Sequence, residues 1–223
     1  MTEVGSFLRR IEIKEMKIKT TYYLVFSVIL FNLSCKKEET SLVLKNHFNN
    51  EQIQDFKKIN TFFISEALNN DKSNFKEEII ILEKNIYSSG IEILINKIDF
   101  QKQKDLYTSI SKSSFNEIWD FCKLWKEKKR LESDTLKSIC PKQEPNTNFK
   151  NYLRELGKNN PFAKQCFESI EASGDYSHMH FISSLLQNID NIDFNKFDNQ
   201  FIIAVYFLSL NDRAKRNEKW SEK

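Results

Sequence analysis

The chain has 223 residues, and its 34 Lys and Arg against 31 Asp and Glu give a formal charge of +3. This length suits one domain of moderate size, and a composition of 40% hydrophobic and 29% charged residues argues against general disorder. The only four glycines stand alone, which excludes a phosphate-binding loop and a dinucleotide-binding fingerprint. With only three prolines as well, a turn-rich β-sandwich or barrel is a poor fit.

Residues 1–15 do not fit the start of a secretory leader. They carry Glu3, Glu12 and Glu15 where a leader has a basic region. We therefore predict that Met16 is the true start and that residues 1–15 are a mis-assigned extension.

Residues 16–34 have the pattern of a signal peptide. Lys17 and Lys19 form a short basic region, and the ten residues Tyr22–Phe31 are uncharged and mostly apolar. A membrane-spanning helix needs about 20 such residues, so the alternative of a retained signal anchor is less favoured. The pattern predicts export.

The end of this segment, Leu33-Ser34-Cys35, resembles the lipobox of bacterial lipoproteins, although Asn32 stands where that family has an aliphatic residue. The resemblance implies that Cys35 is diacylated and becomes the mature N-terminus. Two or more acyl chains hold a protein on a membrane stably, whereas one binds only marginally. The expected partner is therefore the membrane, through lipid on Cys35.

The charged residues after the cysteine are more specific. Lys37, Glu38 and Glu39 resemble the export signal of Bacteroidota surface lipoproteins, a lysine and two acidic residues just after the lipidated cysteine. The resemblance implies an outer-membrane lipoprotein exposed on the cell surface, and a periplasm-facing domain stays open as the alternative. Removing residues 1–34 takes away five basic and three acidic residues and leaves +1, so no nucleic acid partner is expected.

The mature chain is predicted to be all-α, with Cys35 and a tether at 35–45 and one bundle of eight or nine helices at 46–223. Asn49-Asn50, Ser73-Asn74 and Asp99 are candidate N-caps. The helix after Ser73-Asn74 either breaks at Gly90 or continues through it, and we favour continuation because glycine costs only about 1 kcal/mol inside a helix.

The clearest helical stripe is predicted to follow a cap at Ser113-Ser114. Its apolar residues recur at helical spacing as far as Trp125. A weaker helix is expected from Leu131 to Ile139, ended by Pro141. The helical stripe accounts for Trp119 and Trp125. We therefore interpret the basic residues beside them as a solvated helix face rather than a nucleic-acid or lipid-headgroup patch; they are Lys123, Lys126, Lys128, Lys129 and Arg130.

Asn160-Pro161 predicts a capped helix start with proline at the first helical position. The run Phe201–Leu210 is apolar on all sides and predicts the buried central helix. The charged residues 211–223 are expected to be a frayed helix end.

His178 and His180 are the only local pattern that suggests a binding or metal site. Two residues on a helix differ by about 200° of rotation, so the rings are expected to face opposite ways, with His178 on the core side and His180 exposed. No metal or other cofactor is predicted. If the segment were instead an extended loop, the two rings could converge.

With Cys35 carrying lipid, Cys122, Cys140 and Cys166 remain, which allows one disulfide with three possible pairings. Buried free thiols are an equal alternative for Cys122 and Cys166, which lie on apolar stripes. No motif around them supports a catalytic thiol.

We expect a non-catalytic domain that serves binding or interaction at the outer membrane. Two alternatives stay open. One is an immunity-type lipoprotein that neutralises an envelope toxin, and the other is a cryptic hydrolase or metal-binding protein that uses His178 and His180.

Overall fold

A computed structural model gives the fold of the chain. The residues that it describes are 40–68, 74–90, 92–123, 137–142, 144, 146–173 and 178–221. The predicted signal peptide, Cys35 and the export signal at Lys37, Glu38 and Glu39 lie outside them. Among the described helices, none is both long and apolar enough to cross a membrane.

The first half of the domain is helical. Its helices are α1 (Leu42–His47), α2 (Asn50–Ala67), α3 (Phe75–Ser89), α4 (Glu92–Lys97), α5 (Phe100–Ser109) and α6 (Lys112–Ile118). Two predicted caps are confirmed. Asn49 forms a reciprocal capping box with Gln52, and Asp99 accepts hydrogen bonds from the first turn of α5.

The second half starts with a small sheet and returns to helices. Strands β1 (Trp119–Lys123) and β2 (Lys137–Pro141) pair antiparallel, with Trp119 opposite Pro141. The helices α7 (Asn148–Leu156), α8 (Pro161–Ser173), α9 (His178–Gln187) and α10 (Phe197–Ser221) follow. The predicted start of α8 is confirmed, because Asn160 caps it through the Ala163 N–H at 3.1 Å and Pro161 is its first residue.

Helix α10 is the centre of the core, as the apolar run predicts. Every residue from Phe201 to Leu210 is buried. The helix packs against α2, α4, α5 and β2. Stacked aromatic pairs such as Phe63 with Phe207 and Phe181 with Tyr206 join it to its neighbours. The all-α prediction is therefore confirmed, with one two-stranded sheet added to it.

The helix predicted from Ser113-Ser114 to Trp125 is wrong beyond Ile118. Helix α6 is capped by Ser111, and the chain then extends as β1. The end of the helix predicted from Leu131 to Ile139 is also wrong, because Lys137–Pro141 is the second strand. Hydrogen bonding between two segments that are distant in sequence overrides the helical spacing of the apolar residues.

The helix expected to continue through Gly90 ends there. Gly90 has φ 88° and ψ 176°, a conformation that L residues rarely adopt, and its N–H donates to Ile86 O at 2.8 Å. The next helix, α4, starts at Glu92.

The domain begins earlier than predicted. The compact unit runs from Thr40 to Lys223, and α1 occupies residues that the sequence assigns to the tether. The boundary therefore lies at Thr40 rather than at residue 46. At the other end, Asn211 and Asp212 are fully buried rather than part of a frayed tail.

Candidate functional site

The two histidines singled out by the sequence lie on α9. The helix includes both residues, so the extended-loop arrangement that would let them converge is not formed. His180 is exposed, and the side chain of His178 is outside the described part. Among the described residues, no group of three or more His, Cys, Asp or Glu is arranged to hold a metal ion.

Neither Cys140 nor Cys166 is an exposed free thiol. Cys166 is a free thiol, 1% exposed, and burial raises its pKa well above the usual range, which removes the nucleophilic thiolate. Cys140 is disulfide-bonded. Of the three pairings that the sequence allows, the two that involve Cys166 are therefore excluded.

The densest polar cluster near the start of the domain joins α1 to α7 and α10. We call it the α1 joint, and it consists of Ser41, His47, Tyr152, Glu155 and Asp198. Asp198 is 5% exposed, and its Oδ1 accepts from Ser41 Oγ at 2.8 Å and from Tyr152 Oη at 2.6 Å. His47 Nε2 lies 2.8 Å from Glu155 Oε2.

The N-cap of α1 fixes the position of Ser41 in the α1 joint. Ser41 is the N-cap of α1, and its Oγ also accepts from the Leu44 N–H at 3.1 Å. Leu44 is fully buried, and the Phe48 ring packs edge-on against Phe56 at 4.8 Å between centroids. Apolar packing and hydrogen bonds together therefore fix α1 to the body of the domain.

The α1 joint contains the residue types of a hydrolytic site, but its contacts are those of a structural connection. The Ser41 hydroxyl is engaged by Asp198 and by the helix N–H. His47 is paired with Glu155 rather than with that hydroxyl. The polar groups thus hold α1, α7 and α10 together.

A second polar network fills the far end of the core, where α5 and the sheet meet α10. Asn211 Nδ2 donates to Gln103 Oε1 at 2.7 Å, and Gln103 Nε2 donates to Leu208 O at 2.8 Å and to Tyr107 Oη. Asp212 Oδ1 accepts from the Ile139 N–H at 3.0 Å, which ties β2 to the central helix.

The buried tryptophan extends this network to β1. Trp119 is 1% exposed, and its Nε1 donates to Ser209 Oγ at 2.9 Å. These hydrogen bonds satisfy polar groups that burial would otherwise penalise. The network anchors the sheet and α5 to α10.

Sequence reasoning missed His47 and Asp198 as partners in a cluster. The contacts of the joint span 157 residues between Ser41 and Asp198 and 108 between His47 and Glu155. No local spacing signals such pairs. Only the Ser41 cap, a serine just before a helix, has a local signature.

Comparison with known proteins gives no relative for this domain. The chain matches no protein-family model, no curated protein and no solved structure.

Proposed function

We propose that the protein is a lipid-anchored envelope lipoprotein whose helical domain acts in binding or interaction at the outer membrane, without catalysis. The observation that carries the proposal is Cys35, which lies four residues after the last residue of the ten-residue apolar run Tyr22–Phe31 and directly precedes Lys36-Lys37-Glu38-Glu39. The run is too short to span a bilayer and has the length of a secretory core region.

The disulfide supports the exported location. Cys140, which lies in β2, is disulfide-bonded. Disulfides persist in the periplasm and on the cell surface and are rare in the cytosol, where thiols are kept reduced. A domain with such a bond fits a chain that is secreted before it folds.

The polar clusters support an interaction domain rather than an enzyme. The α1 joint uses its serine, histidine and carboxylates to cap and connect helices. The α5–α10 network uses its amides and carboxylate in the same way. These groups already have partners with which they stabilise the fold.

The test is protease shaving of intact cells that produce three forms of the protein. The first is the native form, the second is Cys35→Ala, and the third has Lys37, Glu38 and Glu39 all changed to Ala. We expect the native protein to be membrane-bound and digested, the triple variant to be membrane-bound and protected, and Cys35→Ala to be soluble.

Each result that differs from these expectations identifies the part of the proposal that fails. A native protein that is protected, while Cys35→Ala is released, keeps the anchor but places the domain on the periplasmic side. A Cys35→Ala protein that stays in the membrane removes the lipoprotein assignment. Protease treatment of lysed cells that produce each form is the control for the intrinsic protease sensitivity of that form.

A further inference from the structure

The distance between the proposed anchor and the folded domain is short. Cys35 is separated from Thr40, the first residue of the compact unit, by only four residues. Five residue steps of fully extended chain reach at most about 18 Å. If Cys35 carries lipid, the start of the domain stays within that distance of the membrane surface.

The start of the domain is also rigidly attached to the rest. Ser41 is bonded to Asp198, and His47 to Glu155, at opposite ends of α1. Leu44 is fully buried between them. Because α1 is fixed to α7 and α10, a short link at Thr40 limits how far the whole domain, and not only this helix, can move from Cys35.

The outer side of α1 presents an exposed leucine beside an exposed lysine. Leu42 is 75% exposed, although the neighbouring Leu44 is fully buried. Lys45 is exposed and lies three residues further along, so the two share one face of the helix. An apolar side chain beside a lysine suits the boundary between acyl chains and headgroups, where lysine keeps its charge in water.

We infer that the face of α1 formed by Leu42 and Lys45 rests on the lipid bilayer that holds the acyl chains of Cys35. This inference rests on the proposed function, and it adds which surface of the domain meets the membrane. Leu42 inserts at the headgroup level and Lys45 contacts lipid phosphate. One leucine and one lysine are too few to hold an unanchored domain, so the contact forms only when the lipid keeps α1 at high local concentration.

The experiment places a tryptophan at this surface and measures its quenching by lipid. Full-length lipidated protein carrying Leu42→Trp is reconstituted into phosphatidylethanolamine and phosphatidylglycerol vesicles whose acyl chains are brominated near the headgroup. The matched control is Tyr87→Trp, because Tyr87 on α3 is 77% exposed and Leu42 is 75% exposed. The parent protein supplies the background from the native tryptophans.

We expect the added tryptophan at position 42 to be quenched about twofold or more above that at position 87, because only the former reaches the headgroup layer. Equal quenching at the two positions overturns the orientation. The Cys35→Ala protein is expected not to float with the vesicles, and flotation of this variant overturns the dependence on the anchor.

Mass spectrometry of the N-terminal peptide separates the two levels of the argument. Lipid on Cys35 without extra quenching at position 42 overturns only the orientation of the domain. An unmodified Cys35 overturns both the orientation and the proposed function.

Discussion

Glu83 carries a carboxyl group that is buried in the core. Its side chain is 2% exposed, and among the described residues neither oxygen has a hydrogen-bond partner. Burial raises the pKa of Glu83 from 4.5 to about 8. The carboxyl is therefore neutral in the folded protein at neutral pH and ionised in the unfolded chain.

This difference makes the free energy of unfolding depend on pH. The contribution of Glu83 to stability is fully present below its unfolded pKa and is lost as pH rises toward the folded pKa, by up to about 1.4 kcal/mol per pH unit. We expect Glu83→Gln to remove this slope between about pH 5 and about pH 8, as measured by urea unfolding. Glu77→Gln on the exposed side of α3 is the control and keeps the slope. An unchanged slope in Glu83→Gln would contradict the assignment.

Asp55 shows the opposite behaviour, since its buried carboxylate is fully supplied with donors. It is 2% exposed and accepts from Lys58 Nζ at 2.8 Å, the Ser111 N–H at 2.9 Å and Ser114 Oγ at 2.8 Å. Burial alone raises the pKa of Asp55, but these hydrogen bonds outweigh it and lower the pKa from 3.8 to about 2.

The contribution of Asp55 to stability is present above the unfolded pKa and is lost as pH falls through the folded pKa. As the pH falls from about 4 to about 2, we expect protonation of Asp55 to lower the free energy of unfolding by about 2 kcal/mol. Asp55→Asn is expected to destabilise the protein at neutral pH by about 2 kcal/mol and to flatten this acid limb. Asp105→Asn, at an exposed position on α5, is the matched control. A steep acid limb that survives in Asp55→Asn would refute the role.

At the scale of elements, the sequence predicts the helices whose start is marked locally. Asn49, Asp99 and Asn160-Pro161 all cap helices as expected. The failures occur where distant contacts decide. The stripe ending at Trp125 matches a helix by spacing, yet Trp119–Lys123 pairs with residues 137–141. Asn211 and Asp212 are buried, and Gln103 and the Ile139 N–H, which are distant in the sequence, form hydrogen bonds with them.

The break at Gly90 can be tested by substitution. Its backbone lies in a region that is nearly exclusive to glycine, so Gly90→Ala is expected to destabilise the protein by about 1–3 kcal/mol in chemical unfolding. Ser89→Ala, at the exposed last residue of α3, is expected to change stability by less than about 0.5 kcal/mol. If Gly90→Ala were as mild as Ser89→Ala, the chain would run through this position as a helix, as the sequence alone suggests.

At the scale of the molecule, composition and the apolar run Phe201–Leu210 are enough to predict an all-helical domain around a buried central helix. The α1 joint and the sheet are not predictable in this way, because their partners are far apart in the sequence. The pairing of the cysteines, too, depends on the fold and not on the sequence alone. Sequence alone allows three pairings, whereas the fold buries Cys166 as a free thiol and leaves Cys140 bonded.

The disulfide links the fold to the location of the protein. We predict that the partner of Cys140 is Cys122, and closing this loop is expected to stabilise the domain by about 3 kcal/mol. A reductant should therefore lower the melting temperature of protein isolated from the envelope, and Cys140→Ser should lower it to the same extent and abolish the response. Cys166→Ala should keep the response, since that thiol is free. Peptide mapping without reductant should join the peptides of Cys140 and Cys122. A link from Cys140 to Cys35 instead would leave no thiol for lipid, and the membrane anchor would fail with it.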